Sequence, residues 1–198
     1  ENKIEKLLLP NIDSSTIELL LSLSSEYPNI CHPMMGLHPC SVKDNFEDEL
    51  DKIKEQINKK NYIAIGEIGI DLFWDTSNLE QQKIAFETQI KWAKEKQLPI
   101  VIHSRDSFDE IFSILDDLND PDLKGVFHCF TGNINQAKHI IAYGGFKLGI
   151  GGVVTFKNSG LDQTLKEVNL DHLVLETDSP YLSPAPFRGK RNESTYLT

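Results

Sequence analysis

Two kinds of run alternate along this chain of 198 residues. Short stretches are apolar almost throughout: Lys6 to Pro10, Ile30 to Leu37, Tyr62 to Asp71, Pro99 to Arg105, Gly125 to Phe130, Phe146 to Phe156 and Leu173 to Asp178. They are too short for lone helices and read as seven buried strands. Between them lie longer stretches with helical spacing. Phe46, Leu50, Ile53 and Ile57 sit four, three and four residues apart, and Leu79, Phe86, Ile90 and Ala93 follow at seven, four and three, so each set marks one apolar helix face. Further helices are expected over Thr16 to Tyr27, Ser107 to Leu118, Ile134 to Tyr143 and Leu161 to Val168, with Pro28 and Gly144-Gly145 as stops. Ser179 to Arg191, rich in proline and basic residues, reads as a loop.

Strands without polar alternation, separated by helices, imply a parallel sheet with helices on its faces. An α/β fold follows, either a TIM (β/α)8-type barrel or an open doubly wound sheet. An open nucleotide-binding sheet should carry G-x-G-x-x-G or G-x-x-x-x-G-K-[ST] after a strand, and neither motif occurs here. The barrel is the expectation, one strand short, as a single domain over residues 1–198.

Composition narrows the partners. Twenty basic against thirty acidic residues give a net charge of −10, so no global field draws the chain to a polyanion, and nucleic-acid contact must be local or run through bound cations. The three cysteines, Cys31, Cys40 and Cys129, form no C-x-x-C pair, which argues against a disulfide framework or structural zinc and fits a reducing cytoplasm. No run suits a bilayer, and no obligate protein partner is evident.

Chemistry concentrates where the strands finish. Glu67 lies between Gly66 and Gly69, and the pattern places it as a carboxylate closing a hydrophobic strand. Such a group is costly to bury unless paired or bound to metal. His103, His128 and Asp178 follow three other apolar runs, and His38 is a possible fifth. Taken singly, each histidine reads as a hydrogen-bonded core or turn residue, and Glu67 as a salt-bridged structural one. In a parallel barrel, however, all strand C-termini share one face, so Glu67, His103, His128 and Asp178 are expected to converge on a metal site. Imidazole and carboxylate without thiolate suit one or two divalent cations among Mg, Mn, Zn, Co and Ni. Hydrolysis is the expected reaction class, since such cations lower the pKa of bound water. There is no G-x-S-x-G elbow and no H-E-x-x-H helix.

Five segments then carry a family resemblance: Gly36-Leu37-His38-Pro39, Gly66-Glu67-Ile68-Gly69-Ile70-Asp71, Val101-Ile102-His103-Ser104-Arg105, Phe127-His128-Cys129-Phe130 and Glu176-Thr177-Asp178-Ser179-Pro180. Together, in this order, they resemble the TatD family of metal-dependent deoxyribonucleases. The resemblance implies an amidohydrolase-like barrel that hydrolyses DNA phosphodiesters, often from 3′ to 5′. It also implies that Glu67 binds or bridges the metals, that His103 and His128 hold one of them, and that Asp178 binds the other and takes a proton from the attacking water. The family's first strand ends in H-x-H-x-D and its chain continues into a further helix; neither is found here, so the sequence is expected to be trimmed at both ends.

Substrate handles follow. Arg105, Arg188, Lys190 and Arg191 can neutralise phosphates, His38 can contact substrate, and Phe73, Trp74, Phe130 or Tyr181 can stack on a base of single-stranded DNA or a DNA end. Two other readings stay open. The same metal site could act on small esters, lactones, amides or phosphotriesters, and a chain truly lacking H-x-H could be a non-catalytic binding module.

Overall fold

The structure, a computed structural model, describes residues 4–197. Strand and helix alternate as β1 (Leu7–Leu9), α1 (Ile17–Glu26), β2 (Cys31–Pro33), α2 (Phe46–Lys59), β3 (Ile65–Asp71), α3 (Leu79–Lys96), β4 (Ile100–Arg105), α4 (Phe108–Leu118), β5 (Gly125–Phe127), α5 (Ile134–Ala142), β6 (Phe146–Ile150), α6 (Leu161–Leu165) and β7 (Leu173–Leu175). The seven expected strands and six expected helices are all present, and several strands are shorter than their apolar runs. The chain forms two compact units, one of residues 5–125 and one of residues 126–197 together with Ile4.

In the first unit β1 pairs with β2 in parallel, Leu7 opposite Cys31, and β3 pairs with β4 in parallel, Ile65 opposite Ile100. Between them Met35 makes a parallel bridge to Ile65, its N–H donating to Ala64 and its carbonyl accepting from Gly66. The run expected to be one strand from Ile30 to Leu37 is therefore three strand residues and an isolated bridge. The hydrogen bonding runs on past Pro33, since the Met34 N–H donates to the Leu9 carbonyl at 2.8 Å before the chain turns to meet Ala64 and Gly66.

β3 is buried at every one of its seven positions, which is why it has no polar alternation. Ile65, Ile68, Ile70, Ile100 and Ile102 are fully enclosed, and helices cover them with Ile53, Phe86, Ile90, Ala93, Ile111 and Leu115. Burying each such isoleucine contributes about 1.5–3 kcal/mol. The apolar spacing read for α2 is its buried face, and Glu47, Asp48 and Glu49 in its first turn with Lys59 in its last oppose the helix dipole.

In the second unit β6 and β7 pair in parallel, Leu148 opposite Leu173. α5 starts in a capping box in which Asn133 and Gln136 satisfy each other's backbone N–H groups. Ala137, Ile140, Phe127, Phe146 and Leu148 form its core. The glycine-rich run after Ile150 leaves the strand for a 3-10 turn over Gly152–Thr155.

Candidate metal centre

Glu67 does not close its strand. It is the third residue of β3, and Asp71 is the last. The β3–β4 register pairs Ile65 with Ile100 but Ile68 with Ile102, so β3 holds one extra residue around Glu67. Such a bulge re-aims a side chain that regular alternation would place elsewhere. Beyond it Gly69 stands opposite His103, with φ +144, and a Cβ there would run into the His103 carbonyl. Only glycine lets the two backbones approach so closely.

The bulge and this register bring His103 between two buried carboxylates. Its Nδ1 lies 3.0 Å from Glu67 Oε1 and its Nε2 lies 2.8 Å from Asp71 Oδ2. Burial alone would push the imidazole pKa down, but the hydrogen bonds and charges of Asp71 and Glu67 outweigh it and raise it to about 9. Asp71 moves the opposite way. Burial would raise it, while hydrogen bonds from His103 and from the backbone N–H groups of Trp74 and Phe73 hold it down to about 2. Without metal the pair is imidazolium and carboxylate. Asp71 keeps the proton on Nε2 and leaves Nδ1, the nitrogen facing Glu67, as the one a cation would take.

His38 joins this cluster from a turn. Its Nε2 is 3.8 Å from Glu67 Oε1, its ring lies 4.6 Å from that of His103, and ligand atoms of His38, Glu67 and His103 all fall within 4.8 Å of one another. Yet the backbone N–H of Cys40 donates to His38 Nδ1 at 3.1 Å, so neutral His38 carries its proton on Nε2. As it stands it faces Glu67 with a donor. Cys40 itself stays a thiol, because burial first and the neighbouring Asp71 second push its pKa up to about 11.

Two glutamines of α3 hold the frame. Gln82 accepts from the N–H of Asp71 at 2.8 Å and donates to its carbonyl at 3.1 Å. Gln89 does the same for Leu37, next to His38, at 2.7 and 3.2 Å. Both are fully buried, seven residues apart on the apolar face, and each replaces a strand partner for one residue of the site.

The second unit repeats the arrangement. His128 follows β5 directly, its Nδ1 3.0 Å from Glu176 Oε2 and its Nε2 3.3 Å from Asp178 Oδ1. Glu176 is held by the backbone N–H of Cys129, and it occupies the space in which a Cβ at Gly149 would lie. The structure thus brings Glu67 to His103 in one unit and His128 to Asp178 in the other. Asp71 and Glu176, which hold the two imidazoles, had no expected role. The signal was present in the sequence as further acidic residues beside the expected ligands, since Asp71 lies four residues from Glu67 and Glu176 two from Asp178.

The donor chemistry fits a divalent cation. His38, Glu67 and His103 offer nitrogen and carboxylate oxygen without thiolate, and three such ligands leave coordination positions open. Among the substrate handles, Arg105 stacks 3.7 Å from the Phe73 ring, Arg188 stacks 4.2 Å from Phe156, and Lys190 is exposed. Phe130 is corrected: at 2 % exposure it is core and cannot receive a base. Tyr181 is exposed.

Comparison with known proteins agrees with this reading. The model of the family described as TatD related DNase matches residues 1–198. The chain is 40% identical over 196 residues to an uncharacterized metal-dependent hydrolase, YabD, of Bacillus subtilis, covering 98% of this chain and 76% of that protein. It is 32% identical over 197 residues to the 3′-5′ ssDNA/RNA exonuclease TatD of Yersinia pseudotuberculosis, covering 96% and 75%. The crystal structure of YJJV, a TatD homologue from Escherichia coli, superposes with a TM-score of 0.90 at 29% identity, over 98% of this chain and 75% of that one. A TatD-family hydrolase of Entamoeba histolytica shares the fold with a TM-score of 0.74 at 23% identity, over 97% and 67%. YabD is named as a metal-dependent hydrolase, and the solved TatD structures share this chain's α/β fold of the TIM-barrel type. The chain belongs to the TatD family.

Proposed function

We propose that this metal-dependent hydrolase is a nuclease that cleaves phosphodiester bonds of single-stranded DNA or DNA ends, from 3′ to 5′. The observation that carries the reading is His103, held at Nε2 by Asp71 so that Nδ1 and the Glu67 carboxylate are offered together. The 32% identity to a protein named as a 3′-5′ ssDNA/RNA exonuclease supports the substrate class.

In this reading Glu67, His103, His128 and Asp178 bind one or two divalent cations, which when bound would polarise the phosphoryl group and acidify water. The chain's own groups divide the remaining work. The Glu67 side chain is only 10% exposed and suits a fixed ligand, whereas that of Asp178 is 34% exposed and can also take a proton from an attacking water. His38, whose Nε2 faces Glu67, contacts the substrate beside that carboxylate, and Arg105, Arg188 and Lys190 neutralise phosphates. None of the three cysteines is in a disulfide, which fits a reducing cytoplasm, and no described helix is long and apolar enough to cross a membrane.

The test is an end-labelled single-stranded oligonucleotide incubated with the protein and Mg²⁺ or Mn²⁺, beside Glu67→Ala and Asp178→Asn variants and a panel of chromogenic esters. Stepwise shortening from the 3′ end, lost in both variants, is expected. Ester turnover without shortening would replace the nuclease by a small-ester hydrolase, and silence on every substrate would leave a binding module.

A further inference from the structure

The strongest unexplained feature outside the metal ligands is the surface that follows β3. Phe73 and Trp74 are adjacent, 52% and 71% exposed, and packed edge to face with ring centroids 5.0 Å apart. Two large aromatic side chains left in water next to a polar site are costly unless something covers them. They are also held in place. Asp71 Oδ1 accepts from the N–H of Phe73 at 3.0 Å and of Trp74 at 3.2 Å, while its Oδ2 faces His103. Arg105, opposite Asp71 in the β3–β4 register, lays its guanidinium 3.7 Å over Phe73 and 5.5 Å from Trp74.

One carboxylate therefore fixes both a metal-binding imidazole and an aromatic step beside it. Asp71 and Arg105 lie one same-face interval along their strands from Gly69 and His103, about 7 Å. Phe73 has one face taken by Arg105, and Trp74 stands perpendicular to it as the more open ring. A rigid indole next to a cation matches a base and the phosphate attached to it, and it needs no particular sequence because every base has a π face.

Resting on the nuclease reading above, we infer that Trp74 is a stacking platform for an unpaired base of the substrate strand, with Arg105 on the adjoining phosphate, so that the site selects single strands over duplex. Phe73 orients Arg105 and does not itself stack.

Trp74 reports on its own occupancy. In a Trp92→Phe background it is the sole tryptophan, and its fluorescence can be titrated in EDTA with oligothymidylate and with an abasic strand of the same length. Quenching by the thymidine strand alone is expected, together with a rise of about tenfold in KM for the oligonucleotide in Trp74→Ala with Mn²⁺, largely restored in Trp74→Phe. Equal quenching by the abasic strand, or a Trp74→Ala KM unchanged in an enzyme that still shortens DNA, would overturn the inference and leave the nuclease reading intact. Absence of DNA cleavage by the wild type would remove the nuclease reading, and base-dependent quenching in EDTA would still establish the platform.

Discussion

Asp71 Oδ2 and His103 Nε2 lie 2.8 Å apart, and this pairing decides which ring nitrogen of a neutral His103 keeps its proton. In the proposed site Asp71 sets the tautomer and leaves Nδ1 of His103, which faces Glu67, for the cation. Asp71→Asn leaves the shape nearly unchanged and removes that bias. Affinity for Mn²⁺ or Zn²⁺ is expected to fall about 10–100-fold, read by calorimetric titration.

Binding of a cation should be coupled to proton release. His103 titrates at about 9 in the metal-free protein, so at neutral pH its Nδ1 must lose a proton before it can coordinate. Apparent metal affinity should therefore rise with pH up to about 9 and level off above it. Calorimetry in buffers of different ionisation enthalpy should give close to one proton released per cation at pH 7. No buffer dependence would contradict the assignment.

The same two groups set a stability window for the metal-free protein. His103 is raised above its ordinary 6.5, so its contribution is fully present below 6.5 and is lost as pH rises through about 9. Asp71 is depressed below its ordinary 3.8, so its contribution is present above 3.8 and is lost as pH falls through about 2. Denaturant unfolding in EDTA should show a plateau for this pair between those ordinary values. A loss of about 2 kcal/mol is expected on the acid side from Asp71 alone.

Gln82 and Gln89 should matter for stability despite their distance from the metal-binding atoms. Gln89→Leu fits an apolar helix face but leaves the buried N–H and carbonyl of Leu37 without their partner. A cost of about 2–3 kcal/mol is expected in urea unfolding, larger than for the same change at an exposed glutamine.

Gly149→Ala tests the second imidazole. The added methyl would occupy the position of the Glu176 carboxylate, which faces His128 Nδ1 and accepts from the Cys129 N–H. Displacing it leaves His128 unoriented, so metal-dependent turnover should drop about 10–100-fold while thermal unfolding shifts less. The His128 ring proton signals in NMR should move in step with that loss.

Period and punctuation in the sequence were enough to place the elements. A run without polar alternation such as Ile65 to Asp71 fits burial on both faces, and Phe46, Leu50, Ile53 and Ile57 share a face in a helix. The residue types proposed as metal ligands stand out for the same reason, because Glu67, His103, His128 and Asp178 interrupt or follow runs that otherwise exclude charge. What the tertiary structure decided is how those groups are held. The extra residue in β3 that turns Glu67 toward His103, the pairing of Asp71 with Nε2, and the use of Gln82 and Gln89 as backbone partners depend on register between strands and helices distant in the chain. A one-dimensional pattern records which side chains avoid water. It does not record which hydrogen-bonding atoms come to face one another once they have done so.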